Sequence, residues 1–270
     1  MITAKQLFAS LSILVVLATA ACNDFEQIQK SKDIEFKKTK ADEYYGNKKW
    51  EEANTLYEEL LPVYKGKNQF ETLYYRYAFT FYYQESYLAA SYHFKNLTEN
   101  FPNSPRRDTC EFLTALCLYK LSPESTLDQG STIKAIAALQ DYVNEHPESP
   151  NTIEANKMID EARRKLEKKD FESAELYFKI GEFKSAAAAY GNLLKKYPES
   201  NRADLFYWRM MQSNFQYAGL SIAAKQAERY QQALVDYNDL IANYPNTQYK
   251  TEADQLKNAI FAIQKKSTTQ

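Results

Sequence analysis

Few residues in this 270-residue chain have the type and spacing for chemistry. Its two histidines, His93 and His146, stand apart from any carboxylate or cysteine cluster at ligand spacing, so the sequence predicts structural roles for both and no metal site. No GxSxG, HExxH, CxxC or phosphate-binding loop occurs. With only six glycines, folds built on Gly-rich turns are excluded. The expectation is a protein that is not an enzyme and needs no cofactor. Cys110 and Cys117 lie seven residues apart, roughly 10.5 Å along a helix, beyond the span of a disulfide, and read as buried packing residues. What remains is one thiol, Cys22, and an unusual supply of rings: 22 tyrosines and 15 phenylalanines.

The rings concentrate in 70–83 (FETLYYRYAFTFYY), where eight of fourteen residues are aromatic. One helix face cannot bury them all. Tyr74, Tyr77 and Phe81 fall at packing positions around Ala78, which leaves Tyr75, Phe79, Tyr82 and Tyr83 at i, i+4, i+7 and i+8 on a second stripe. With Tyr45 at its border, this stripe is the candidate peptide- or partner-binding groove: rings supply contact area and hydroxyls pair with an extended backbone. Ordinary core packing accounts for the same rings equally well. Alternation at 75, 77, 79, 81 and 83 also fits a strand; the 78–90–102 spacing of Ala, Ala and Pro favours helices. Trp50 and Trp208 read as interface anchors or simple packing.

At the N-terminus, Lys5 precedes an uncharged apolar run from Leu7 to Ala18, followed by the small residues Thr19, Ala20 and Ala21. The run is shorter than the ~20 apolar residues a spanning helix needs and reads as an export signal over 1–21. Cys22 follows directly, in a setting similar to a relaxed lipobox, with Thr19 where a large aliphatic residue is usual. Acylation of Cys22 would anchor the chain without spanning the membrane. Residues 22–33 read as a flexible acylated linker. The charge balance, 34 Lys+Arg against 35 Asp+Glu, gives no excess to draw nucleic acid.

The elements that position the rings are written as a repeat. Pro102, Pro147, Pro198 and Pro245 sit in FPNS, HPES, YPES and YPNT, and twelve residues before each stands Ala90, Ala135, Ala186 or Ala233. Four residues on come Phe94, Leu139, Tyr190 and Tyr237; seven on, Leu97, Tyr142, Leu193 and Leu240. An upstream copy keeps Ala53, Tyr57 and Leu60, and Ala41, Ala78 and Ala174 stand twelve residues before Ala53, Ala90 and Ala186. Small residues let antiparallel helices approach, rings fill the groove beside them, and proline stops the second helix of each pair. Ser104 and Ser149 read as N-caps, with Pro105 and Pro150 at the first helical position.

These positions are those of the tetratricopeptide repeat, and the chain resembles that superfamily: an all-α solenoid of about five helix pairs near 34–66, 71–102, 105–147, 167–198 and 201–245, with a capping helix at 249–264. The alanines at 53, 90, 135, 186 and 233 are 37, 45, 51 and 47 residues apart rather than the ~34 of a regular array. The array is therefore irregular, with extra residues expected in 121–132, 153–166 and 214–229.

Signal, lipobox and five degenerate repeats together resemble the BamD family of lipoproteins, which serve the β-barrel assembly machinery of Gram-negative outer membranes. The resemblance covers about 34–264. It implies a lipid-anchored scaffold on the periplasmic face that binds a BamA-type barrel subunit through its later repeats and unfolded outer-membrane proteins through its earlier ones, with other accessory lipoproteins as further partners. Only Cys22 carries over by motif. Two other classes share some features: a Tol-Pal or cell-division tetratricopeptide adaptor, which would carry heptads between 22 and 40 where none is sustained, and a carbohydrate-binding surface lipoprotein.

Overall fold

The computed structural model describes residues 24–267, and those residues are helical with no strand. Residues 24–30 form α1, followed by α2 (Ile34–Gly46), α3 (Trp50–Tyr64), α4 (Phe70–Tyr83), α5 (Tyr87–Asn100), α6 (Arg107–Lys120), α7 (Gly130–Glu145), α8 (Thr152–Lys179), α9 (Phe183–Lys196), α10 (Ala203–Gly219), α11 (Ala223–Asn243) and α12 (Lys250–Ser267). The export signal and Cys22 lie outside the described residues.

The helix pattern follows the small-residue code. Ala41, Ala53, Ala78, Ala90, Ala135, Ala174, Ala186 and Ala233 are all fully buried. Phe94, Leu139 and Tyr190, four residues after their alanines, fill the space alongside and are likewise fully buried. The prolines act at one fixed distance: α5, α7, α9 and α11 end at Asn100, Glu145, Lys196 and Asn243, each two residues before a proline. The intervening Phe101, His146, Tyr197 and Tyr244 share one backbone geometry, φ −127 to −133° and ψ 57 to 68°, outside the α region as a residue before proline requires.

Two expectations change. Ser104 and Ser149 are not N-caps: their hydroxyls accept from the N–H two residues on, Arg106 (3.0 Å) and Asn151 (3.3 Å), closing a turn that precedes the helix, and α6 starts only at Arg107. Residues 24–30 are helical rather than a flexible linker, because Phe25 and Ile28, three apart, pack on the core, Phe25 edge-on to Tyr44 at 5.7 Å. Buried Lys37 ties this segment down, donating to the Gln29 carbonyl (2.8 Å) and to Glu59 (2.6 Å). The extra residues of 153–166 add length to a helix, giving the 28-residue α8.

The chain forms two compact units, divided within α8. The first comprises the residues up to Pro123 and Gln129–Ala162. Here α2 to α7 pack in sequence, each on the next, and Ala155, Met158 and Ile159 join Leu139 and Tyr142 in a common cluster. The second comprises Glu124–Asp128 and Arg163 onward. Its core gathers Ala174, Ala186, Tyr190, Leu193 and Phe206, and Lys169 holds the 124–128 segment by donating to the Leu127 carbonyl at 2.7 Å. Helix α12 packs on α10 and α11 and buries Ala253 and Ile260.

Candidate functional site

Helix α4 sorts its rings into two populations. Tyr74 and Tyr77 are buried beside Ala78, and Phe81 stacks on His93, with ring centroids 4.9 Å apart. On the other stripe Tyr75, Phe79 and Tyr82 are half-buried and Tyr83 is 44% exposed. These rings touch in series: Tyr75 to Phe79 at 4.9 Å, Phe79 to Tyr82 at 6.0 Å, Phe79 to Tyr83 at 5.6 Å. Tyr83 stacks on Trp50 at 4.2 Å, and Trp50 meets Tyr45 edge-on at 5.3 Å. Tyr87, from α5, extends the far end, 5.7 Å from Tyr82. The result is one contiguous aromatic band in the first unit. Fully buried Phe94 lies beneath it, edge-on to both Tyr75 (6.3 Å) and Phe79 (5.1 Å).

Tyr87 belongs to this band without having been singled out in the sequence, and Trp50, read there as an interface anchor or simple packing, joins it through Tyr83 and Tyr45. Trp50 opens α3, and its contact with Tyr83 spans 33 positions, beyond the reach of any local pattern. Cations overlie the band: the Arg76 guanidinium 5.8 Å from the Tyr45 centroid, Arg106 5.1 Å from Tyr75, and Lys120 5.8 and 5.3 Å from Tyr82 and Tyr87. These are cation–π distances. Burial pushes the Tyr45 phenol up to about 12 and raises those of Tyr75 and Tyr82, so all three hydroxyls stay protonated and able to donate at neutral pH.

The histidines have partners the sequence does not reveal. His93 sits among Tyr74, Tyr77, Phe81 and Tyr92, with Nδ1 3.2 Å from the Tyr74 hydroxyl; burial lowers its pKa. His146, occupying the ring position before Pro147, bonds through Nε2 to the Glu111 carboxylate. Ligand atoms of Glu111, Glu145 and His146 come within 4.8 Å of one another. Arg107 Nε already donates to Glu111 at 2.8 Å, which makes this an ion network rather than a vacant donor set. Burial pushes the Cys110 and Cys117 thiols up to about 12, leaving both inert as nucleophiles.

Paired helices with buried alanines at the contact and a proline after each second helix define a tetratricopeptide-repeat protein, and a tetratricopeptide-repeat family model matches residues 217–247. A second family model, YfiO, described as an outer membrane lipoprotein, matches residues 36–229. The chain belongs to that outer membrane lipoprotein family. The curated outer membrane protein assembly factor BamD of Caulobacter vibrioides is 22% identical over 158 residues, which are 58% of this chain and 48% of that protein. The chain thus spans about half the length of the curated relative it matches. Among solved structures, a TPR repeats protein from Bacteroides fragilis aligns over 86% of this chain and all of its own, at 13% identity and a TM-score of 0.46. The TPR2AB domain of yeast Sti1 aligns over 84% of this chain and 98% of its own, at 18% identity and a TM-score of 0.38.

Proposed function

We propose that the chain is a non-enzymatic scaffold and substrate-targeting lipoprotein of outer-membrane β-barrel assembly. In this reading it is anchored through acylated Cys22 on the periplasmic face of the outer membrane, with a tetratricopeptide-repeat domain over 34–264. It joins a BamA-type barrel subunit and receives unfolded outer-membrane proteins. Membership of the outer membrane lipoprotein family and the name of the Caulobacter relative support the compartment and the process.

The observation that carries the targeting role is the aromatic band. A helix that needs only one face for its core holds a second stripe of rings, Tyr75, Phe79, Tyr82 and Tyr83, partly open to solvent and continuous with Tyr45. Rings of this kind offer large, stiff contact area at low entropic cost, and protonated phenols can donate to the carbonyls of an extended chain. Detergent extraction and affinity capture of the full chain, followed by mass spectrometry, tests the reading. Recovery of a BamA-type barrel subunit and unassembled barrel proteins is expected; recovery of peptidoglycan-associated partners alone would replace it with the adaptor role. Cys22→Ala should move the protein to soluble fractions, and unchanged sedimentation with membranes would remove the lipid anchor.

A further inference from the structure

Taking Cys22 as acylated, the reading on which this inference rests, we propose that a cavity between α1 and α2 seats the phosphodiester headgroup of a membrane phospholipid, with Lys49 meeting the phosphate.

The cavity has a volume of about 760 Å³, and the rings of Phe36 and Tyr44 form part of its wall. Three lysines line it, Lys30, Lys40 and Lys49, against two carboxylates, Asp24 and Glu43. Two of the lysines are held, Lys30 by Glu26 and Lys40 by Glu43. Lys49 is exposed, forms no ion pair among the described residues, and stands 5.4 Å from the Tyr44 ring centroid. Tyr44, whose phenol burial raises, adds a protonated hydroxyl to the same cavity. Helix α2 opens the array, with only α1 ahead of it among the described residues. A terminal helix of a solenoid needs a polar outer surface in water, yet Phe36 is 42% exposed here. Tyrosine rings and lysines around an open apolar side chain suit the membrane interface, where rings sit at headgroup level and ammonium groups pair with phosphates.

Position selects a lipid over other anions. Cys22 and Asp24, the first residue of α1, are two positions apart, so the chain between them reaches at most ~7 Å. Helix α1 is not slack, since Phe25 and Ile28 pack on the core and the Lys37 ammonium donates to the Gln29 carbonyl. Acyl chains on Cys22 therefore hold α1, and the cavity it lines, against the membrane surface, where phosphodiesters are dense. A phosphate there gains a charge-assisted hydrogen bond from Lys49. The glycerol and first methylenes of the same lipid lie against Phe36, which loses its contact with water.

The test places the acylated full chain on vesicles of phosphatidylcholine and phosphatidylglycerol containing a trace of phosphatidylglycerol with a photoreactive diazirine at its glycerol. Flotation is measured first, then crosslinked peptides are mapped by mass spectrometry. Crosslinks should fall on the peptides that hold Phe36 and Tyr44. A diacylglycerol carrying the same diazirine but no phosphate should label them about fivefold less, the worth of one lysine near a lipid phosphate. Lys49→Gln should lower the phosphatidylglycerol yield by about the same factor with helicity unchanged, and Lys49→Arg should keep it. Inorganic phosphate at matched ionic strength should not displace the probe. A floating chain that is labelled elsewhere, that the phosphate-free probe labels equally, that keeps its yield in Lys49→Gln, or that loses it to inorganic phosphate overturns the inference. A chain that does not float removes the lipid anchor itself, and this inference falls with it.

Discussion

Three register positions, compared between the repeat of α2 and α3 and that of α4 and α5, are filled in opposite ways. In the first, the Tyr57 hydroxyl donates to Asp42 at 2.8 Å, and Asp42 also holds Arg76 of the following repeat at 2.6 Å. Fifteen residues before and nineteen after Phe94, the counterpart of Tyr57, stand Phe79 and Leu113. The polar triad has become apolar. Within the second unit the triad returns at the same spacing: Tyr190 donates to Glu175 at 2.6 Å, and Arg209 reaches Glu175 at 3.1 Å. The position beside the first-helix alanine thus has two uses. As Asp42 or Glu175 it staples three helices together; as Phe79 it is released from that task and becomes the centre of the aromatic band. On the proposed reading of the band, this position serves stability in the repeats of α2 and α8 and recognition in the repeat of α4.

The largest expected effect comes from emptying the ring at the centre of a triad. Tyr57→Ala and Tyr190→Ala remove fully buried aromatics and should each cost about 3–5 kcal/mol in urea unfolding. Phe79→Ala, at a half-buried ring, should cost roughly 1–2 kcal/mol. Equal losses would make Phe79 core and dissolve the distinction.

Next in size is an exchange of roles. Phe79→Glu alone should destabilise by about 2 kcal/mol, since it places a carboxylate against buried Phe94 with apolar Leu113 at the register position that holds arginine in the triads. Adding Leu113→Arg should recover about 1 kcal/mol of that as a new ion pair. Absence of coupling between the two changes would show that register alone does not make a triad.

The smallest effect is on acid stability. Burial pushes the Asp42 carboxyl up, but hydrogen bonds from Lys38, Tyr57 and Arg76 outweigh it and hold the pKa below its ordinary 3.8. A lowered folded-state pKa gives stability that is fully present above the unfolded value and is lost as pH falls through the folded one. Asp42→Asn should therefore weaken the fold above about pH 5 by up to ~1 kcal/mol, with the difference from the parent shrinking as pH drops below the ordinary carboxylate value. A difference that grows on acidification has the wrong sign.

Much of this was legible in the chain itself, because it is local and recurs. The Ala-to-Pro spacing of twelve residues marks both the helix contact and the helix end, and burial of every repeat alanine follows from it. Two stripes on 70–83 can be counted from i, i+4 and i+7. What escaped depends on distant partners. Trp50 on Tyr83, Lys120 on Tyr82 and Glu111 on His146 join residues 33 to 38 apart, which only the packed helices bring together. The helix at 24–30 escaped for another reason: its two apolar residues, Phe25 and Ile28, are too few to write a periodicity, yet suffice once α2 offers Tyr44 to pack against.

The most direct test replaces Tyr75, Phe79 and Tyr82 together by alanine, then measures far-ultraviolet circular dichroism and capture of an unfolded barrel-protein segment on the same sample. The band as a binding surface predicts helicity close to that of the parent with capture strongly reduced. Collapse of helicity, or capture at the parental level, would contradict it.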